Sequence, residues 1–205
     1  YHSPFIEYVI IIFMVLSGMS FSMHYNLLRG HAKSFFKNEE SRFFILIILV
    51  SSLIITFDVF NLKIANLVDS FRHSLFQVSS VITTTGYGTS DYEQWSISSQ
   101  IILLLLMYIG GGAGSTAGGM KVVRVQLLIK FAYSEIKRLI HPKAVIPVRI
   151  NGNPVDKTIM THISVFFVVY IMIATTSVLI ITFFGIDFLT AFGAVAATLN
   201  NVGPG

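Results

Sequence analysis

Cysteine is absent from the chain, and charge is scarce: Asp, Glu, Lys and Arg together make up 12% of its 205 residues. The first absence removes disulfide frameworks and thiolate metal sites and leaves no redox sign of compartment. The second removes the solvated surface that a water-soluble domain of this size needs. No stretch has the charged, apolar and small-residue order of a cleavable signal peptide. The chain opens on Tyr1 rather than methionine and ends at Gly205 inside a motif, so it reads as a piece of a longer protein. His24, His31, His73, His141 and His162 share no metal-ligand spacing. No nucleophile, base and orienting group can be assembled, so no enzyme activity is expected.

What is abundant is apolar surface: 54% of residues are hydrophobic and mean hydropathy is +0.74, a composition suited to lipid. The net charge of +4 forms no continuous basic face, so membrane topology accounts for it and no nucleic-acid partner is expected. Residues 8–28, 43–60 and 158–184 are apolar runs close to the roughly 20 residues of a spanning helix. Ser17, Gly18, Ser20 and Ser22 are small residues suited to close packing in the first of these. The expected fold is an all-α polytopic membrane protein of repeated span, pore-helix and span units with re-entrant filter loops. The expected division is 1–41, a last span and its loop; 42–140, a complete unit with a broken second helix; 141–157, an exposed connection; and 158–205, the start of the next unit.

The segment 66–82 behaves differently from the spans. Asp69 is a candidate N-cap, and Phe71, Leu75, Phe76, Val78 and Ile82 recur at helical spacing. A helix over 69–82 is about 21 Å long, short of the roughly 30 Å hydrocarbon thickness. It can enter a bilayer without crossing it, and it hands over to Thr83-Thr84-Thr85-Gly86-Tyr87-Gly88-Thr89. Such a run can straighten so that carbonyl oxygens replace the water around a dehydrated potassium ion, with the negative end of the helix dipole behind them. The competing reading is a surface amphipathic helix followed by an ordinary turn.

A third apolar segment, 97–109, is interrupted by Gly110, Gly111, Gly112, Ala113, Gly114, Ser115, Thr116, Ala117, Gly118 and Gly119 before a helical pattern resumes. Glycine at this density opposes helix, and non-helical backbone at membrane depth is tolerated only against protein or a water-filled cavity. A phosphate-binding loop fails on detail, because Met120 intervenes before Lys121 and Val122 stands where Ser or Thr is needed. Lys121 and Arg124 follow on adjacent helical turns; they are either functional buried charges or side chains that snorkel to the interface.

Placing Gly86 on Gly203 aligns Gly88 with Gly205, Ile82 with Leu199 and Phe71 with Phe188 at an offset of 117 residues. Span, pore helix and filter are thus repeated. Of the Lys and Arg residues, only Lys63 and Arg72 lie outside 29–42 and 121–157. The filters are therefore expected to face outward and the Gly-rich break to face the cytoplasm.

The combination of TTTGYGT (83–89), GGGAGSTAGGMKVVRVQLLIK (110–130) and TLNNVGPG (198–205) resembles the bacterial Trk-type potassium-uptake membrane subunits, the TrkH group of the Trk/Ktr/HKT superfamily, over essentially the whole chain. The resemblance implies four span-pore-span repeats around one pseudo-four-fold pore in the bacterial cytoplasmic membrane. This chain would run from the last span of repeat two to the filter of repeat four. It implies that Thr84, Thr85, Gly86, Tyr87 and Gly88, with Asn201, Val202, Gly203, Pro204 and Gly205, supply filter strands, and that Gly110 to Gly119 is an intramembrane gating loop. Potassium is the implied substrate and no cofactor is implied. The implied partners are membrane lipid, a second copy in a homodimer and a cytosolic nucleotide-sensing regulatory subunit. Residues 137–157 suit docking of that subunit or contact with anionic lipid. A tandem-pore potassium channel is the alternative; it would be expected to repeat the Gly-Tyr-Gly signature.

Overall fold

The apolar runs 43–60 and 158–184 become the two longest helices of the computed structural model, which describes residues 3–31 and 37–203. In chain order the helices are α1 (Pro4–Ser17), α2 (Phe21–Leu28), α3 (Glu39–Asn61), α4 (Leu67–Ile82), α5 (Ile97–Ile109), α6 (Val122–Ile140), α7 (Lys157–Phe183) and α8 (Phe188–Leu199). A 3₁₀ turn spans Tyr92–Gln94. The strands β1 (Arg149–Ile150) and β2 (Asn153–Pro154) pair antiparallel, Arg149 with Pro154 and Ile150 with Asn153. Their turn is Asn151-Gly152, both at positive φ (50° and 81°), the geometry for which this dipeptide is favoured in hairpins.

Among the described residues, α3 and α7 are each long and apolar enough to cross a membrane, at 23 and 27 residues. Polar side chains fix where several helices begin. Asn38 accepts the Ser41 N–H at the head of α3, and Asp156 accepts the Thr158 N–H at the head of α7. Asp187 accepts from the N–H groups of Leu189 and Thr190 at the head of α8. Hydrogen bonds led by that from the Thr190 side chain hold the Asp187 carboxyl below its ordinary pKa. The cap of α4 is Asn66 rather than Asp69: Asn66 Oδ1 accepts the Asp69 N–H at 2.9 Å while Asn66 Nδ2 donates to Asp69 Oδ2 at 2.8 Å. This reciprocal arrangement starts the helix earlier than Asp69 alone would.

One buried cluster joins α3, α4, α5 and α7. It contains Phe44, Ile48, Ile55 and Val59 of α3, Val78, Val81 and Ile82 of α4, Leu103, Leu106 and Met107 of α5, and Tyr170, Ala174 and Val178 of α7. In α4 every residue from Phe76 to Ile82 is buried, as a helix enclosed by spans must be. The apolar run 8–28 does not form one continuous helix. It breaks between α1 and α2 with a bend of 101°. The cause is tertiary: a Cβ on Gly18 would stand 2.6 Å from Thr83 Cγ2. The Gly18 carbonyl accepts the Gly112 N–H at 2.8 Å, and the Phe21 N–H donates to the Gly114 carbonyl at 3.2 Å. The glycine-rich loop thus takes over backbone bonds that a continuous helix would have kept to itself.

Candidate functional site

Helices α4 and α8 both stop inside the protein, and their ends share one backbone geometry. After α4, Thr83 N–H donates to Ser79 O (3.1 Å), Thr84 N–H to Val81 O (3.1 Å) and Thr85 N–H to Ser80 O (2.9 Å). After α8, Asn200 N–H donates to Ala196 O (3.3 Å), Asn201 N–H to Thr198 O (3.2 Å) and Val202 N–H to Ala197 O (2.9 Å). Every donor and acceptor of the second set lies 117 residues beyond its counterpart. Thr84 and Asn201 occupy the left-handed region at φ 55° and 56°, and Gly86 and Gly203 follow at 77° and 105°. A β-branched residue in that region is an outlier, held at Thr84 because both neighbours are bonded back to the helix end. The last carbonyls of each helix therefore point toward the extended strand, so that each helix presents its negative end there.

The strands differ in how side chains support them. In the first, Ser80 Oγ donates to the Tyr87 carbonyl at 2.6 Å, and the Thr83 and Thr85 hydroxyls lie 2.8 Å apart. The Tyr87 carbonyl is thereby turned toward the helix end, while the residue as a whole is 49% exposed and Gly88 has open space around it. In the second, Asn200 is fully buried; its Nδ2 donates to Ala196 O at 2.7 Å, and the Tyr170 hydroxyl of α7 donates to its Oδ1. Tyr108 of α5 packs edge-on against Tyr170, with centroids 6.0 Å apart. Pro204 and Gly205 lie outside the described residues.

Between α5 and α6, the loop 110–121 closes on a narrow neck. Met120 N–H donates to Tyr108 O (3.0 Å) and Val122 N–H to Gly111 O (2.9 Å). Glycine is required where the neck closes: a Cβ on Gly110, at φ 72°, would meet the Gly118 carbonyl at 2.2 Å. From this neck the loop touches both strand ends. The Gly118 N–H donates to Thr84 Oγ1 at 2.8 Å, and a Cβ on Gly118 would lie 2.0 Å from the Asn200 carbonyl oxygen. A Cβ on Gly111 would clash with Ala117 at 2.6 Å, and one on Gly119 with Gly110 Cα at 2.8 Å. Gly114 is at φ 68°, Ser115 Oγ donates to Gly112 O at 2.6 Å, and Thr116 Oγ1 donates to Ser17 O at 3.4 Å.

Lys121 and Arg124 reach different partners. Lys121 turns inward, its ammonium donating to the Ser115 carbonyl at 3.4 Å and to the Ala117 carbonyl. Arg124 donates to Met120 O at 3.3 Å and lies over the Phe166 ring, 4.2 Å from its centroid. Lys121 therefore holds the loop, and Arg124 joins α6 to α7. Sequence reasoning missed Glu40, whose Oε1 accepts the Ala113 N–H of the loop at 2.5 Å. It also missed Gly18, Tyr170 and Asn200. No local pattern marks Glu40 or Tyr170, whereas Asn200 aligns with Thr83 in the internal repeat and could have been found by it.

Two apolar spans, two helices that stop within the core beside them, and a broken helix folded under their ends define a polytopic membrane protein of the re-entrant, pore-helix class. The family model described as "TrkH: Cation transport protein" matches residues 1–205, and the chain belongs to that family, one of transport proteins rather than enzymes. The chain is 36% identical over 211 aligned residues to the Trk system potassium uptake protein TrkH of Escherichia coli strain K12, covering 100% of this chain and 43% of that protein. The TrkH protein of Salmonella typhimurium gives the same identity and coverage. The crystal structure of the potassium transporter TrkH from Vibrio parahaemolyticus superposes with a TM-score of 0.94 at 34% identity, covering 100% of this chain and 45% of that one. The chain spans less than half the length of the curated relatives it matches.

Proposed function

We propose that the chain supplies one complete filter unit and the start of a second to a potassium-uptake pore in a bacterial cytoplasmic membrane, and that its glycine-rich loop is the gate. The observation that carries this reading is the contact of one loop residue with both strands: Gly118 donates to Thr84 Oγ1 at 2.8 Å and packs on the Asn200 backbone. A loop seated there lies across the route that an ion leaving the filter would take. Its glycines leave no side chain to fix it in place, and the hydrogen bonds holding it can each be exchanged for water. The filter comprises Thr84, Thr85, Gly86, Tyr87 and Gly88 with Asn201, Val202, Gly203, Pro204 and Gly205. It selects by replacing an ion's hydration shell with carbonyl oxygens. The relatives are named for potassium uptake, which supports potassium as the ion. Two strands cannot surround an ion, so the remaining repeats complete the pore. The whole protein forms a homodimer and is regulated by a cytosolic nucleotide-sensing subunit.

A tandem-pore channel is the weaker reading, because the second copy carries Asn-Asn-Val-Gly-Pro-Gly rather than a second Gly-Tyr-Gly. The test is rubidium-86 uptake by the full-length protein in lipid vesicles at fixed membrane potential. The proposal expects uptake that potassium suppresses and sodium does not. Absence of uptake, or equal suppression by the two ions, contradicts it.

A further inference from the structure

The first turn of α3 carries two adjacent glutamates that face different parts of the protein. Acidic residues in a first turn are ordinarily accounted for by the helix dipole. Here each has a specific distant partner as well. Glu40 Oε1 accepts the Ala113 N–H at 2.5 Å, and it lies 3.2 Å from where a Cβ on Gly112 would stand, so the carboxylate is fitted closely against the loop. Glu39 is held from the other side by the hairpin between α6 and α7. Its N–H donates to Asn151 Oδ1 in the hairpin turn at 2.8 Å. Its carboxylate pairs with Lys130, whose ammonium also donates to the Arg149 carbonyl at 2.8 Å.

We propose that the Glu39-Glu40 turn is a mechanical coupler, with Glu40 the positioning residue for the loop and Glu39 its tether to the hairpin. This inference rests on the reading of the loop as a gate. Two successive residues in one hydrogen-bonded turn cannot move independently, so displacement of the hairpin is passed to Ala113 through a single rigid element. Charge-assisted bonds at both ends make the link stiff. The coupler works in both directions: a loop drawn out of the ion route would pull on Glu40 and favour a displaced hairpin, as linkage requires.

The experiment is rubidium-86 flux through the full-length protein in vesicles. Glu40→Ala removes the acceptor for Ala113 and is expected to raise basal flux about fivefold or more, with the potassium-to-sodium ratio unchanged. Asn151→Gly keeps the positive φ of the turn but removes the direct bond from Glu39, leaving the Lys130 bridge to the Arg149 carbonyl, and it is expected to raise flux by a smaller factor. In the double variant flux should equal that of Glu40→Ala alone, because the hairpin no longer has a route to the loop; independent multiplication of the two effects overturns the proposal. Glu40→Gln retains an acceptor oxygen and should restore flux to near wild type, an outcome that a general loss of packing would not give. If Glu40→Ala does not fold, Asn151→Gly and Lys130→Met decide: raised flux in both supports the coupler, and wild-type flux in both overturns it. Deleting residues 112–116 separates the two readings. Raised flux there with wild-type flux in Glu40→Ala sinks the coupler and leaves the gate. Unchanged flux on deletion sinks the gate and the coupler together.

Discussion

The two strand ends, one after α4 and one after α8, reach the same backbone path with different chemistry. The three backbone bonds that shape each strand recur at an offset of 117 residues, and the left-handed residue is Thr84 in one and Asn201 in the other, at φ 55° and 56°. What differs is the source of support. The first strand is braced from within its own segment by the hydroxyls of Ser80, Thr83 and Thr85. The second replaces Ser80 with Ala197 and Thr83 with Asn200, and takes its brace from Tyr170 on the neighbouring span. Backbone geometry is therefore the shared requirement, and side-chain bracing varies with what each unit has nearby. The Gly-rich loop, which exists once in the described residues, must fit against both.

That comparison can be broken most severely where the loop meets the second strand. Gly118→Ala brings a Cβ to within 2.0 Å of a backbone carbonyl that cannot rotate away. Overpacking of this kind costs about 3 kcal/mol, so the purified full-length variant is expected to melt several degrees below wild type. An unchanged melting temperature would mean that the loop does not rest on Asn200. Tyr170→Phe comes next. It leaves the buried Asn200 Oδ1 without its hydroxyl donor, a loss of about 1–3 kcal/mol. The expected result is a lower melting temperature of the purified full-length variant. Smallest of all is Ser80→Ala, which gives the first strand the residue that the second already has. Losing the bond to the Tyr87 carbonyl costs about 1 kcal/mol, and ion selectivity should shift only slightly. A large shift would show that the two strands depend on their side chains and not on the shared backbone path.

Much of this arrangement was legible in the residues. The boundary of α5 at Ile109 followed from the start of the glycines, and the shared strand geometry followed from aligning Gly86 with Gly203, because both are set by local backbone preference. What the sequence concealed depends on contacts between distant segments. Gly18, read as a small residue for close packing, is a bend, since the loop supplies the hydrogen-bonding partners for the backbone on either side of it. Glu40 looked like one of several charges in a wet connection, and its loop partner is 73 positions away in the chain. Lys121 offered no local sign that its ammonium would turn to carbonyls of the loop it follows. The cap at Asn66 differs from the one expected because Asn66 and Asp69 bond reciprocally, and spacing alone does not rank the two.

The central claim is that both strands line one ion route. Reversal potentials under mixed potassium and sodium test it most directly, measured on the full-length protein with Gly86→Ser and with Gly203→Ser. Both glycines are at positive φ, 77° and 105°, where an L side chain adds strain of about 1–2 kcal/mol and turns carbonyls off the route. The account predicts that each substitution lowers the preference for potassium over sodium, by about tenfold for a 1.4 kcal/mol change in relative ion binding. If Gly86→Ser lowers the preference and Gly203→Ser leaves it at the wild-type value, the second strand is not part of the filter and the claim is wrong.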